Sequence, residues 1–135
     1  MAEKENIYLH SEITGKIIQG FYKVYNSLGI GFSKKLYINA LVHEFHKTGL
    51  SAIQNTSIEI YYDQIDLGEI SADIIVENLV LLEVHLDDEI SAAKGQVLYN
   101  KLRSGIYEVG LLLNFGQSPE HLRKVHTNDR KANVS

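Results

Sequence analysis

Apolar positions recur along this chain with more than one period, and each period predicts a different element. Over residues 12–28 they fall at Ile13, Ile17, Phe21, Val24, Tyr25 and Leu28. That spacing makes one apolar face of a helix. Ser11 is its candidate N-cap and Gly29 its left-handed stop. A second helix is predicted from about residue 33 to 47. Leu36, Tyr37, Ala40, Leu41, Val42 and Phe45 form its apolar side, and Gly49 lies just past its end. The period then shortens. In residues 51–62, Ile58 and Ile60 alternate with Ser57, Glu59 and Tyr61, which suits a strand. Residues 63–68 carry turn chemistry, and a hairpin is expected to lead into residues 69–76.

The chain is organised around residues 70–96. Two short apolar runs, 72–76 and 79–86, flank Glu77-Asn78. Each is too short for a typical helix, so they read as buried neighbouring strands joined by a tight turn. A polar loop, Asp87-Asp88-Glu89, leads to Ser91, the candidate cap of a third helix ending at Ser104. Val97, Leu98, Leu102 and Tyr99 are its inward candidates. Residues 109–115 form a strongly apolar strand, 116–119 a turn, and 122–126 a short edge strand or helix. Residues 1–10 read as an arm and 127–135 as a disordered tail. The expected domain, 11–126, runs ααβββαβ(β): a mixed sheet flanked by helices, of the α/β or α+β class. The third helix would cross over between parallel strands.

Composition narrows the chemistry. The 135 residues suit one domain, and a hydrophobic fraction of 44% with 22% charged residues is ordinary for a globular protein. The net charge of −4 supplies no global basic field for nucleic acid, which leaves room only for a local basic groove. The absence of cysteine excludes disulfides and thiolate metal sites. No apolar run is long enough to span a membrane, and the first ten residues lack a signal-peptide core, so a cytoplasmic protein is expected.

Three polar groups interrupt the apolar hairpin: Asp73, Glu83 and His85. Glu83 and His85 share a strand face, and pairing across a two-residue turn would bring Asp73 near Glu83. Two carboxylates on adjacent strands suit Mg²⁺ or Mn²⁺, which would polarise a phosphate and acidify a water. The spacing fits equally two solvated or salt-bridged residues at strand ends. His85 suits a metal ligand, a general base or a hydrogen-bonded structural residue. Gln96, early in the third helix, either bonds a water or phosphate near the site or is an idle surface residue. His43, Glu44 and His46 fail the HExxH zinc template, because the histidines are three apart rather than four. Arg123, Lys124, Arg130 and Lys131 form a basic end that is either solvated or in contact with phosphate.

Several segments together resemble a known family. They are Gly29-Ile30-Gly31-Phe32 with Tyr37, Leu67-Gly68-Glu69, Ala72-Asp73-Ile74-Ile75-Val76, Leu82-Glu83-Val84, Gln96-Val97-Leu98-Tyr99-Asn100 with Leu102-Arg103, and Gly110 to Gly116. In this order they resemble the GxxExxY proteins, a branch of the PD-(D/E)XK nuclease-like superfamily, over about residues 13–125. The resemblance implies a restriction-endonuclease-like core and Mg²⁺-dependent phosphodiester hydrolysis in nucleic acid. It implies Asp73 and Glu83 as metal ligands and Gln96 as a residue that positions water or substrate. Two positions depart from the pattern. Lys34 stands where the family has its helix glutamate, and His85 stands where it has the strand lysine. Lys34 and Lys94 are the candidate replacements for that lysine, although Lys94 points away from Gln96 on the helix. The expected readings are a weakened or altered nuclease, an inactive member that binds nucleic acid or protein, or a transition-metal site built on His85. Nucleic acid and a second copy of the chain are the expected partners.

Overall fold

A computed structural model describes residues 9–134. The observed order is α1 (Ser11–Leu28), α2 (Lys34–Lys47), β1 (Ala52–Tyr62), β2 (Ile65–Val76), β3 (Val80–His85), α3 (Ala92–Arg103), β4 (Val109–Phe115) and β5 (Pro119–Val125), followed by a short 3₁₀ turn, Asn128–Arg130. The five strands form one sheet in sequence order, antiparallel except for the β3–β4 pair. That parallel pair brackets α3, as expected of a crossover helix. Residues 122–126, expected as a short edge strand or helix, fall largely in the edge strand β5, which starts at Pro119 and pairs with β4 along its whole length.

The helices cover opposite faces of the sheet. Ile17, Phe21 and Val24 of α1 and Tyr37, Leu41 and Phe45 of α2 pack with Ile74, Val76, Leu82 and Val84. Leu98 and Leu102 of α3 pack with Ile58, Ala72, Ile75, Leu81 and Leu112 on the other side. β4 is buried throughout because it lies inside the sheet with both faces covered. Local chemistry agrees with these boundaries. The Ser33 and Ser91 hydroxyls accept from the backbone N–H groups of Leu36 and Lys94, capping α2 and α3. Gly29 ends α1 with φ of +68°. Glu77 and Asn78 both take left-handed φ, 54° and 53°, as a two-residue hairpin demands.

Three expectations need correction. The loop predicted over 63–68 contracts to Asp63-Gln64, both left-handed, and strand pairing resumes at Ile65. Polar residues and Gly68 do not prevent pairing, because the ladder uses backbone groups alone. Ser11 is the first residue of α1 rather than its cap; His10 holds that position without a side-chain bond. The tail expected to be disordered packs against the domain as far as residue 134. His126, Thr127 and Lys131 are buried. Lys131 Nζ donates to the carbonyls of Gly105 and Tyr107, at 2.6 and 2.8 Å. The Asn133 carbonyl accepts from Gln64 N–H, and Ser104 O accepts from Tyr61 N–H, so two donors near the end of β1 are occupied. The predicted N-terminal arm lies outside the described residues except for Leu9 and His10. Leu9 packs on the core, and its carbonyl accepts from Arg123.

Candidate active site

The site begins where β2 and β3 part. Their ladder runs from Val76↔Val80 to Ile74↔Leu82 and stops. Ala72 and Ile75 both pack on the α3 side although they are three apart, whereas Ile74 packs on the α1–α2 side. Strict strand alternation therefore breaks at Asp73. Opposite it in β1, Asn55 has φ of +57° and is skipped in the pairing. Asp73 Oδ2 accepts from Val84 N–H at 2.8 Å, satisfying a donor of β3 just beyond the end of the ladder. Its Oδ1 lies 3.1 Å from Lys34 Nζ. Lys34 opens α2, where the helix dipole disfavours a cation and the first turn has no acidic residue, so Asp73 supplies the missing negative charge.

Glu83 is more enclosed, its side chain only 10% exposed. Oε1 lies 3.1 Å from His85 Nε2, and Oε2 accepts from Lys101 Nζ. Burial raises the Glu83 carboxyl, but hydrogen bonds from His85 and Lys101, together with their charge, outweigh it and leave the pKa below the usual carboxylate value. The second nitrogen of His85 faces Asp87 Oδ2 at 3.8 Å, and Lys94 Nζ donates to the same oxygen. Asp87 is fixed from below by Asn114, which is fully buried. Asn114 accepts from Asp87 N–H and donates to the Asp87 carbonyl, each at 2.9 Å. Three carboxylates, Asp73, Glu83 and Asp87, thus carry three ammonium groups, Lys34, Lys101 and Lys94.

The sequence candidates fall into two groups. Glu83 and His85 touch each other, and Asp73 bonds the backbone of the strand they occupy. Among the described residues Asp73 and Glu83 share no side-chain partner: the first is drawn to α2 and the second to α3. Gln96 is exposed and donates to Asn100 Oδ1, one turn along its own helix. Among the described residues, no hydrogen bond links it to the carboxylates. Among the described residues, no group of three or more His, Cys, Asp or Glu is placed to hold a metal ion. Lys101 is the residue the sequence reading missed. It lies seven positions from Lys94, so about two turns of helix put both ammonium groups on the same side of α3. On α2, Glu44 is buried between Lys23 and Lys47, and His46 Nε2 sits 3.1 Å from the Ala52 carbonyl, which are packing contacts rather than a zinc site.

No curated protein and no solved structure matches this chain significantly. A family model described as the PD-(D/E)XK nuclease superfamily matches residues 11–125, from the first residue of α1 to the last of β5. The match takes in every helix and strand that builds the site, and on that span the chain belongs to the PD-(D/E)XK nuclease superfamily.

Proposed function

We propose that this domain hydrolyses phosphodiester bonds in nucleic acid, in the cytoplasm, with Mg²⁺ or Mn²⁺ held by Asp73 and Glu83. The observation that supports this reading most is Lys101 on Glu83. In the pattern this chain resembles, a strand lysine accompanies that glutamate; here the strand offers His85, and α3 supplies the ammonium group instead. The donor set suits a hard cation, being two carboxylates from neighbouring strands. Lys34, the present partner of Asp73 Oδ1, is half exposed and can swing into solvent to free that oxygen. When bound, the cation would polarise a phosphate oxygen and lower the pKa of a water. Val84 N–H holds Asp73 in place, Lys101 orients Glu83 and brings positive charge to the phosphate, and Asn114 fixes the loop carrying Asp87.

The Lys34–Asp73 ion pair favours a second reading, in which the site is already neutralised and the domain binds nucleic acid or protein without cleaving it. Calorimetric titration of Mg²⁺ and Mn²⁺ into wild type and Asp73→Ala, followed by a cleavage screen on single- and double-stranded DNA and RNA, separates the two. The catalytic reading expects metal uptake lost in Asp73→Ala and tightened in Lys34→Ala. It expects Lys101→Met to depress kcat while metal affinity stays within a few-fold of wild type. Absence of metal uptake at millimolar concentration, with no cleavage, leaves the binding module.

A further inference from the structure

A cleft of about 350 Å³ opens beside this cluster, between the α1–α2 loop and the C-terminal ends of the parallel strands β3 and β4. Its walls include Ile30, Phe32 and Leu86, which are 56%, 45% and 45% exposed. Tyr37, Asp87, Asp88 and Gln117 carry its polar side chains, and among the described residues no lysine, arginine or histidine lines it. Phe32 is held edge-on to Tyr37, with ring centroids 6.1 Å apart, and Tyr37 is stacked on Phe115 at 3.9 Å, so the aromatic wall has a rigid backing. The position of the cleft follows from close backbone packing. A Cβ on Gly116 would lie 2.5 Å from the Asp87 carbonyl and 2.8 Å from that of Asp88.

The chemistry of the lining selects its occupant. With Asp87 already paired to Lys94, Asp88 is the carboxylate left to accept hydrogen bonds and repel anions, so a group rich in N–H is favoured over a phosphate. An exposed phenylalanine beside isoleucine and leucine favours a flat apolar ring. Asp87 joins this cleft to the cluster, because it faces His85, which in turn touches Glu83. We propose that the cleft is a nucleobase subsite, favouring guanine, for the nucleotide next to a phosphate held at Asp73 and Glu83. Guanine presents two parallel donors, N1–H and N2–H, that match one carboxylate in the bidentate manner. Asp88, exposed on the cleft wall, is the carboxylate assigned to them. Asp87 already holds Lys94, and Phe32 supplies the stacking face. The assignment rests on the nucleic-acid reading of the neighbouring site.

The test uses the full chain, ¹⁵N-labelled, titrated with guanosine, cytidine, adenosine and uridine and observed by amide NMR. These probes carry no phosphate, so their binding needs neither metal nor cleavage. The expected result is a saturable shift confined to residues 30–32, 86–88 and 116–117, strongest for guanosine. Phe32→Ala weakens it about tenfold, within the range for loss of one stacking ring. Asp88→Asn removes the preference for guanosine while the remaining spectrum stays folded. No saturable shift with any nucleoside overturns the subsite, as does a shift elsewhere on the surface. Agmatine, a guanidinium cation, seated there more tightly than guanosine would also overturn it, in favour of a basic protein side chain. Guanosine binding in a protein that takes up no metal and cuts no substrate supports the subsite and removes only the catalytic step.

Discussion

Replacing Lys101 with methionine isolates the interaction on which the site depends. Glu83 is 10% exposed and Lys101 29%, so the variant leaves a nearly buried carboxylate with His85 as its remaining side-chain partner. Breaking a fully buried ion pair costs about 3–5 kcal/mol, and an exposed one costs below about 1. With the ammonium group partly solvated and His85 still in place, a loss of about 1–2 kcal/mol is expected. At a urea slope of about 2 kcal/mol per molar, that shifts the unfolding midpoint by roughly 0.5–1 M. The pH dependence follows from the lowered Glu83 carboxyl. An unfolded glutamate titrates near 4.3. The stabilisation from ionised Glu83 is complete above that value and is lost as pH falls through the lower, folded value. The difference between wild type and variant should therefore be largest at neutral pH and shrink below about pH 4. Adding Glu83→Gln to Lys101→Met should recover part of the loss, because no unpaired charge remains. Unchanged midpoints, or a difference that stays constant from neutral pH to pH 3.5, would refute this account of the pair.

Two further outcomes are expected. Burial pushes the Lys131 ammonium down to about 8, with Glu108 opposing the shift, while an unfolded lysine titrates near 10.4. The unfolded state binds more protons between those values, so thermal stability should rise from pH 8 to pH 9.5, and Lys131→Met should flatten the rise. Gly116→Ala forces a methyl group against the carbonyls of Asp87 and Asp88, which are backbone and cannot turn aside. A loss of about 1–3 kcal/mol is expected in urea denaturation, with amide shifts concentrated in residues 86–88.

Elements were legible in the sequence wherever one local rule decided them. The Glu77-Asn78 turn, the Ser91 cap and the apolar strand at 109–115 each needed only nearby residues. Asp73 and Glu83 stood out because carboxylates in apolar strands need partners. Their partners were harder to read, since Lys34 and Lys101 come from separate helices whose rotation against the sheet is set by packing. Lys101 was nevertheless within reach: it precedes buried Leu102 and follows buried Leu98 by three, which places it at the edge of the inward face. The tail defeated sequence reading for a different reason. Lys131 and Asn133 bind backbone groups in loops and in the β1–β2 turn, and such docking leaves no periodic trace.

That tail also meets one end of an open edge. β1 is the outermost strand, eleven residues long, and an unprotected strand of this kind is a template on which another chain can add. The Asn133 carbonyl occupies Gln64 N–H next to it, while Lys131 anchors the segment to the loop below. Shortening the chain at Val125, where β5 and the family match both end, would keep every helix and strand. It would also free the Gln64 N–H at the β1–β2 turn, adding one unsatisfied donor at the end of an edge on which another chain could pair.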